Sequence, residues 1–99
     1  MNQISVVSPL TGEKLHDIKA YSASEVADAF QSARKAQPNW AESAQHRALV
    51  ARKLAAILAK KQDQVMDLLQ AETGKSRSHA FEEVAGALGA ISYYAKLAP

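Results

Sequence analysis

The sequence predicts a mostly α-helical protein in which an N-terminal β-hairpin precedes three helices, all within one unit of residues 1–99. Two observations predict this fold class. Apolar residues recur three and four positions apart through most of residues 22–97, which is the spacing of one face of an α-helix. Near the start, a β-branched run is followed by a Pro- and Gly-containing turn, which favours a hairpin.

The hairpin is predicted over residues 1–20. The strand ISVV leads into SPLTGE, a turn with Pro9 early and Gly12 late, and EKLHDIK returns with imperfect alternation. A lone hairpin is marginally stable in water. We therefore expect it to lie on the helices or on a sheet from elsewhere.

The first helix is predicted over residues 22–37. Ser22 and Glu25 form a capping-box pattern, and Pro38 is expected to end the helix. Trp40 follows in a short link, where its bulk is expected to plug the helix junction near Phe30. The alternative is an exposed tryptophan that stacks on a ligand.

The second helix is predicted over residues 43–73, with a length of about 45 Å. Ser43 is its predicted N-cap and Gly74 its stop. Lys61 interrupts the apolar stripe. Either the stripe divides into two half-stripes that meet different neighbours, or the lysine extends its charged end to solvent along the surface of the helix.

The third helix is predicted over residues 76–97, with apolar residues on two sides, which indicates burial between two partners. Its Gly86 and Gly89 each cost about 1 kcal/mol relative to alanine in a helix. They indicate a packing groove of small residues, or close approach of another backbone or a ligand. The first apolar side comprises Phe81, Val84, Leu88, Ile91 and Ala95.

Composition excludes several function classes. The chain has no cysteine, and its formal net charge is +2. It therefore has no disulfide, thiolate metal site or cysteine nucleophile of its own. The sequence has no basic stripe with exposed aromatic residues, which a nucleic-acid-binding protein would show. It also has no apolar run long enough to span a membrane and no signal-peptide pattern. We expect a soluble, cytoplasmic protein.

No residue is assigned a catalytic or cofactor-binding role from the pattern. His16, His46 and His79 lie in different predicted elements without metal-ligand spacing. Glu82 and Glu83 are adjacent on a helix and point about 100° apart, which does not suit an acid–base pair. The sequence lacks a glycine-rich phosphate loop.

Four stretches together resemble the aldehyde dehydrogenase family, in order and along essentially the whole chain. They are SPLTGE, SASEVADAFQSARKAQPNW, HRALVARKLAAILAKKQDQVMDLLQAETGK and FEEVAGALGAISYYAKLAP. The resemblance implies the N-terminal segment of a longer α/β enzyme that uses NAD or NADP to oxidise an aldehyde to a carboxylate. The bacterial succinate-semialdehyde dehydrogenases are the members that it looks most like.

The resemblance also implies roles for individual residues. A monovalent cation would be held by the carbonyl oxygens of Val6 and Val7 and the carboxylate of Glu83. Gly86 and Ala90 would border the substrate tunnel. The nucleophilic cysteine, the glutamate that activates water, the oxyanion asparagine and the cofactor glycines would lie downstream.

The resemblance leaves two hypotheses for the function of the chain. The first is a segment whose partner is the rest of the parent polypeptide. The second is a stand-alone helical interaction module descended from such an enzyme. In either case the apolar surface of this chain exceeds the few hundred Å² (roughly) that a monomer tolerates, so we expect the isolated chain to self-associate.

Overall fold

A computed structural model describes residues 2–99, and it has a two-stranded antiparallel hairpin followed by four helices. Met1, the first residue of the predicted hairpin segment, lies outside the described residues. The mostly α-helical fold class with an N-terminal hairpin is confirmed. The elements are β1 Gln3–Val7, β2 Lys14–Lys19, α1 Ala23–Ala41, α2 Ala44–Lys60, α3 Gln62–Thr73 and α4 Arg77–Leu97.

The hairpin is closed by the turn that the sequence indicates. The amide of Gly12 donates to the carbonyl of Ser8 at 2.9 Å, and the Ser8 amide donates to Glu13 at the same distance. Gly12 has φ 75°, a left-handed conformation that strains residues with a Cβ. The register shifts between Val6 and Val7, where the regular pairing of the two strands is interrupted.

Helix α1 begins as predicted but ends later. Both halves of the capping box between Ser22 and Glu25 are present. The predicted end at residue 37 is wrong, because α1 continues through Pro38 to Ala41. Proline removes one helical N–H, whose acceptor would be the carbonyl of Arg34. The helix is exposed here, so water can satisfy that carbonyl.

The prediction of a single helix over residues 43–73 is wrong, because two helices, α2 and α3, meet at Lys61. Lys61 has φ −98° and ψ 15°, outside the helical range. Ser43 caps α2, and Gly74, at φ 73°, ends α3 as predicted. The apolar stripe therefore divides at Lys61. Both halves, however, pack against the same neighbour, α4.

The core lies where α3 and α4 meet. Met66, Ala80 and Val84 are buried, and they are partly covered by Leu58, Val65, Leu69 and Leu88. A second contact joins Ala48 of α2 to the C-terminal half of α4, where Ala95 is also buried. The third predicted helix, 76–97, is confirmed as α4 with Ser76 as its cap. Phe81 is not in the core, since Ala80 takes the inward position and Phe81 is half exposed.

The protein forms a flat layer. Its extents are 47 × 38 × 16 Å and its radius of gyration is 17.3 Å, against about 13 Å for a compact domain of this length. Within the described chain, α1 contributes no buried residue. Large apolar side chains are therefore left at the surface of every helix, including Phe30, Leu54, Leu68 and Tyr94.

Candidate functional site

The candidate site is a groove between α2 and α4 with a volume of about 400 Å³. Five alanines contribute to its lining, and their small side chains leave the space open: Ala48, Ala51, Ala90, Ala95 and Ala98. Leu54, Ile91 and Tyr94 supply larger apolar surface. The remaining lining residue is Arg47. We call this feature the α2–α4 groove.

Arg47 lies in the lining of the groove, but its charged group is already engaged. Its Nη1 donates to the carbonyl oxygens of Trp40 at 3.0 Å and Ala41 at 2.9 Å. These carbonyls belong to the last turn of α1, which has no basic residue of its own. Arg47 therefore completes the C-terminal end of α1, where a cation is favoured by the helix dipole, and fixes the corner between α1 and α2.

Trp40 lies at the same corner, with its ring edge-on to His46 at a centroid distance of 5.9 Å. It remains 45% exposed, so it covers the junction only in part. The expected packing near Phe30 is wrong. Both residues belong to the continuous α1, about 15 Å apart along its axis, and Phe30 is largely exposed.

The groove can accept an apolar side chain or a short aliphatic group. Its walls are almost wholly hydrocarbon, and burial of apolar surface contributes about 25 cal/mol per Å². One hydrogen bond joins α2 to α4 beside the groove, in which Arg52 Nη2 donates to the carbonyl of Ala95 at 3.5 Å. Across residues 2–99 there is no group of three or more histidine, cysteine, aspartate or glutamate side chains arranged to hold a metal ion.

The residues predicted for a monovalent cation lie in two elements. Val6 and Val7 end β1, opposite His16 and Lys14 of β2. Glu83 lies on α4, where its carboxylate pairs with the ammonium group of Lys75. That pair places a positive charge where the predicted cation would also bind. The cation site itself stays a prediction.

The hairpin reaches the helices at the corner between α3 and α4. His16 Nε2 lies 3.0 Å from Glu72 Oε1. A Cβ built on Gly74 would lie 3.2 Å from Leu10 Cγ and 3.4 Å from Pro9 Cγ, so the hairpin turn contacts this glycine. The expectation that the hairpin lies on the helices is therefore met at this corner.

The two residues predicted for a substrate tunnel lie one helical turn apart on α4. Ala90 lines the α2–α4 groove. Gly86 faces open space, because a Cβ added there, or at Gly89, would meet no atom of the described chain within 4 Å. Neither glycine is therefore explained by close packing inside this chain. The tunnel assignment stays a prediction.

Sequence reasoning did not find the groove as a whole. A signal was present, since Ala48, Ala51 and Leu54 recur at three-residue intervals on α2. Their partners lie far along the chain, as the Arg52–Ala95 contact spans 43 positions. The pattern on one helix does not reveal which helix faces it.

The ion pairs among residues 2–99 involve none of the residues that line the groove. Arg77 holds the α3–α4 corner, since its Nη1 lies 2.6 Å from Asp67 Oδ1 and 3.0 Å from Gln70 Oε1. In the hairpin, a hydrogen bond from Lys14 lowers the pKa of Asp17 below its usual value of 3.8. At the start of α1, a hydrogen bond from Lys19 lowers the pKa of Glu25 below 4.5.

Comparison with known proteins identifies the family. The model of the aldehyde dehydrogenase family matches residues 1–99, and the chain belongs to that family. The resemblance in the sequence is thereby confirmed. Within residues 2–99, no helix combines the length and apolar character needed to cross a membrane.

Several curated relatives share this sequence. A Mycolicibacterium smegmatis protein named "Putative succinate-semialdehyde dehydrogenase, NADP(+)" is 42% identical over 89 residues, which are 89% of this chain and 17% of that protein. A Mycobacterium ulcerans protein with the same kind of name is 41% identical over 88 residues, 88% of this chain and 17% of that protein. A Picrophilus torridus D-glyceraldehyde dehydrogenase (NADP(+)) is 32% identical over 92 residues, 92% of this chain and 19% of that protein. The chain thus spans about one sixth of the length of the first two relatives.

Proposed function

We propose that this chain is the N-terminal portion of an NAD(P)-dependent aldehyde dehydrogenase that oxidises an aldehyde to a carboxylate. The observation that carries the proposal is the family match over all 99 residues. The names of the relatives favour NADP+ as oxidant and succinate semialdehyde as first substrate to test. The reaction consumes the aldehyde, water and NADP+ and yields the carboxylate, NADPH and two protons.

Residues 1–99 would serve this reaction as scaffold. The chain has no cysteine, so the thiol nucleophile expected from the family resemblance must come from another part of the polypeptide. The α2–α4 groove and the exposed apolar side chains would pack against that remainder. The absence of cysteine also suits a reducing compartment, which supports the cytoplasm as the site of action.

The test begins with the gene and its product. The DNA beyond the codon for Pro99 is sequenced, and the purified product is weighed by mass spectrometry. Formation of NADPH is then followed with succinate semialdehyde and D-glyceraldehyde, and NAD+ is compared with NADP+. A product far heavier than 10.7 kDa that reduces NADP+ with an aldehyde supports the proposal. A long product with no aldehyde-dependent reduction of either nucleotide contradicts it.

The second candidate is a stand-alone helical interaction module. The exposed apolar side chains on α1, α2 and α4 favour it, because a monomer rarely leaves so many uncovered. A stop codon after Pro99 and a product of 10.7 kDa without dehydrogenase activity would support this reading.

A further inference from the structure

Helix α4 ends beside the α2–α4 groove. Its last helical residue is Leu97, and the amide of the C-cap residue Ala98 donates to the carbonyl of Tyr94 at 2.9 Å. Both Ala98 and Tyr94 belong to the lining of the groove. A polypeptide that continues after Pro99 therefore leaves α4 at the groove itself.

A contact between α2 and α4 fixes the position of this exit. A helical residue at position 99 would donate its amide to the carbonyl of Ala95, but Pro99 has no N–H to donate. That carbonyl instead accepts a hydrogen bond from Arg52 Nη2 at 3.5 Å. Arg52 thus supplies the donor that Pro99 lacks, so the end of α4 is stabilised and the chain leaves the helix at Pro99.

The dimensions of the groove suit a short segment that turns back. Its lining on α4 runs from Ala90 to Ala98, which is about 12 Å along the helix axis. An extended chain covers about 3.3 Å per residue, so about four residues span that length, and a turn adds roughly two to four more. The lining is almost wholly hydrocarbon, so the side chains that face it must be apolar.

Chain entropy favours a segment close to Pro99 over a distant one. The matched 89 residues are 17% of the Mycolicibacterium smegmatis relative, so about 430 residues of that protein lie outside the match. In the N-terminal portion of such an enzyme, most of them would follow Pro99. The loop-closure term favours a loop of about 10 residues over one of about 400 by a factor of about 250.

We propose that the segment of about ten residues directly after Pro99 turns back along α4 and fills the α2–α4 groove with apolar side chains. This inference rests on the proposed function, since it needs a polypeptide that continues. It narrows the partner of the groove from the whole remainder to its first few residues. The contact would cover Leu54 and Tyr94, which are 53% and 67% exposed in the described chain.

Site-specific photocrosslinking in the full-length product of the gene tests the proposal. One variant carries p-benzoylphenylalanine in place of Tyr94, and the matched control carries it in place of Tyr93. The two tyrosines are adjacent on α4 and are 67% and 58% exposed, but of the two Tyr94 lines the groove. Irradiated protein is digested with trypsin, and mass spectrometry identifies the linked peptides. NADPH formation with succinate semialdehyde is measured on the unaltered product.

The Tyr94 probe should link chiefly to the first 15 residues (roughly) after Pro99. Trypsin cuts after Lys96, so the probe and this segment fall in separate peptides and their link is identified directly. Because neighbours on a helix point about 100° apart, the yield from Tyr94 should exceed that from Tyr93 at least about fivefold. If circular dichroism shows that the Tyr94 variant is unfolded, Leu54 and Leu68 provide the same comparison, since they are 53% and 52% exposed and Leu54 lines the groove.

Links from the groove to peptides more than about 30 residues past Pro99, to α1 or to a second copy would overturn the proposal, and so would the absence of any link. Such a result in a product that forms NADPH leaves the proposed function standing. Conversely, the expected links in a product that reduces neither nucleotide support the segment and contradict the proposed function. A gene that ends at Pro99 would overturn both.

Discussion

Replacing Gly74 by alanine tests how the corner between α3 and α4 is closed. Gly74 has φ 73°, and an L-residue with a Cβ pays about 1–2 kcal/mol in that left-handed region. The new Cβ would also lie 3.2 Å from Leu10 Cγ. Leu10 is 76% exposed, so it can move aside at small further cost. We therefore expect Gly74→Ala to lower the free energy of unfolding by about 1–2 kcal/mol.

Gly12→Ala is the matched control. Gly12 has φ 75°, so its backbone strain is the same, but an added Cβ there would meet no described atom within 4 Å. The two glycines differ in location, since Gly74 adjoins the core helices and Gly12 lies in a hairpin that meets the helices through side chains at the α3–α4 corner and at the start of α1. Strain at Gly12 should therefore open the hairpin locally and leave the unfolding of the helices nearly unchanged.

The assay is thermal unfolding followed by circular dichroism at a helical wavelength, with dilute protein to limit association. Gly74→Ala should lower the midpoint by about 4–16 °C, since 1 kcal/mol corresponds to about 4–8 °C in a domain of this size. Gly12→Ala should shift it by less than about 3 °C. If both variants shift the helical transition equally, the hairpin and helices unfold together and the reasoning fails.

Three further predictions concern the core, the hairpin charges and the cap of α1. Val84→Ala should lower the free energy of unfolding by about 1.5–3 kcal/mol, because Val84 is buried in the core, whereas Val50→Ala, at 38% exposure, should cost less than about 1 kcal/mol by denaturant titration. The lowered pKa of Asp17 means that its bond to Lys14 stabilises the hairpin above the unfolded value of 3.8 and is lost as pH falls through the folded pKa. Carboxyl NMR shifts should show this, and Lys14→Ala should raise the Asp17 pKa towards 3.8. Ser22→Ala should cost about 1 kcal/mol and fray α1, measured by amide hydrogen exchange.

Each of these three has an outcome that contradicts it. Equal losses for the two valine variants would mean that Val84 is not in a packed core. An Asp17 pKa that does not change when Lys14 is removed would exclude that bond as the main cause. Ser32→Ala is the control for the cap, and it should leave exchange at the start of α1 nearly unchanged because Ser32 is exposed in the interior of the helix.

Local rules were enough to predict where most helices begin and where α3 ends. Ser22, Ser43 and Ser76 each accept a hydrogen bond from an amide in the first turn of their helix. Gly74 takes the left-handed conformation that a helix end favours. These signals involve residues within four positions of one another, so the sequence carries them directly.

The structure departs from the sequence prediction where packing between distant residues decides the conformation. Lys60 and Lys61 favour helix, so nothing local indicates a break. The chain turns there, and α2 and α3 then contact different parts of α4. Pro38 strongly predicts the end of a helix. Continuing the helix through this proline leaves only one carbonyl of α1 without its helical N–H donor, and α1 does continue to Ala41. The α2–α4 groove depends on the same long-range packing. Of its lining residues, the sequence places Ile91 and Ala95 on an apolar side of the third helix, and the family resemblance indicates Ala90.

We propose that residues 1–99 are a working part of an aldehyde dehydrogenase. A chimaera tests it most directly: this chain replaces the matching 89-residue segment of the Mycolicibacterium smegmatis relative. The measurement is NADPH formation with succinate semialdehyde, beside the unaltered relative. We predict that kcat/KM of the chimaera stays within about tenfold of the relative, a loss of no more than about 1.4 kcal/mol in transition-state stabilisation. A folded chimaera that forms no NADPH, beside an active relative, would contradict the account.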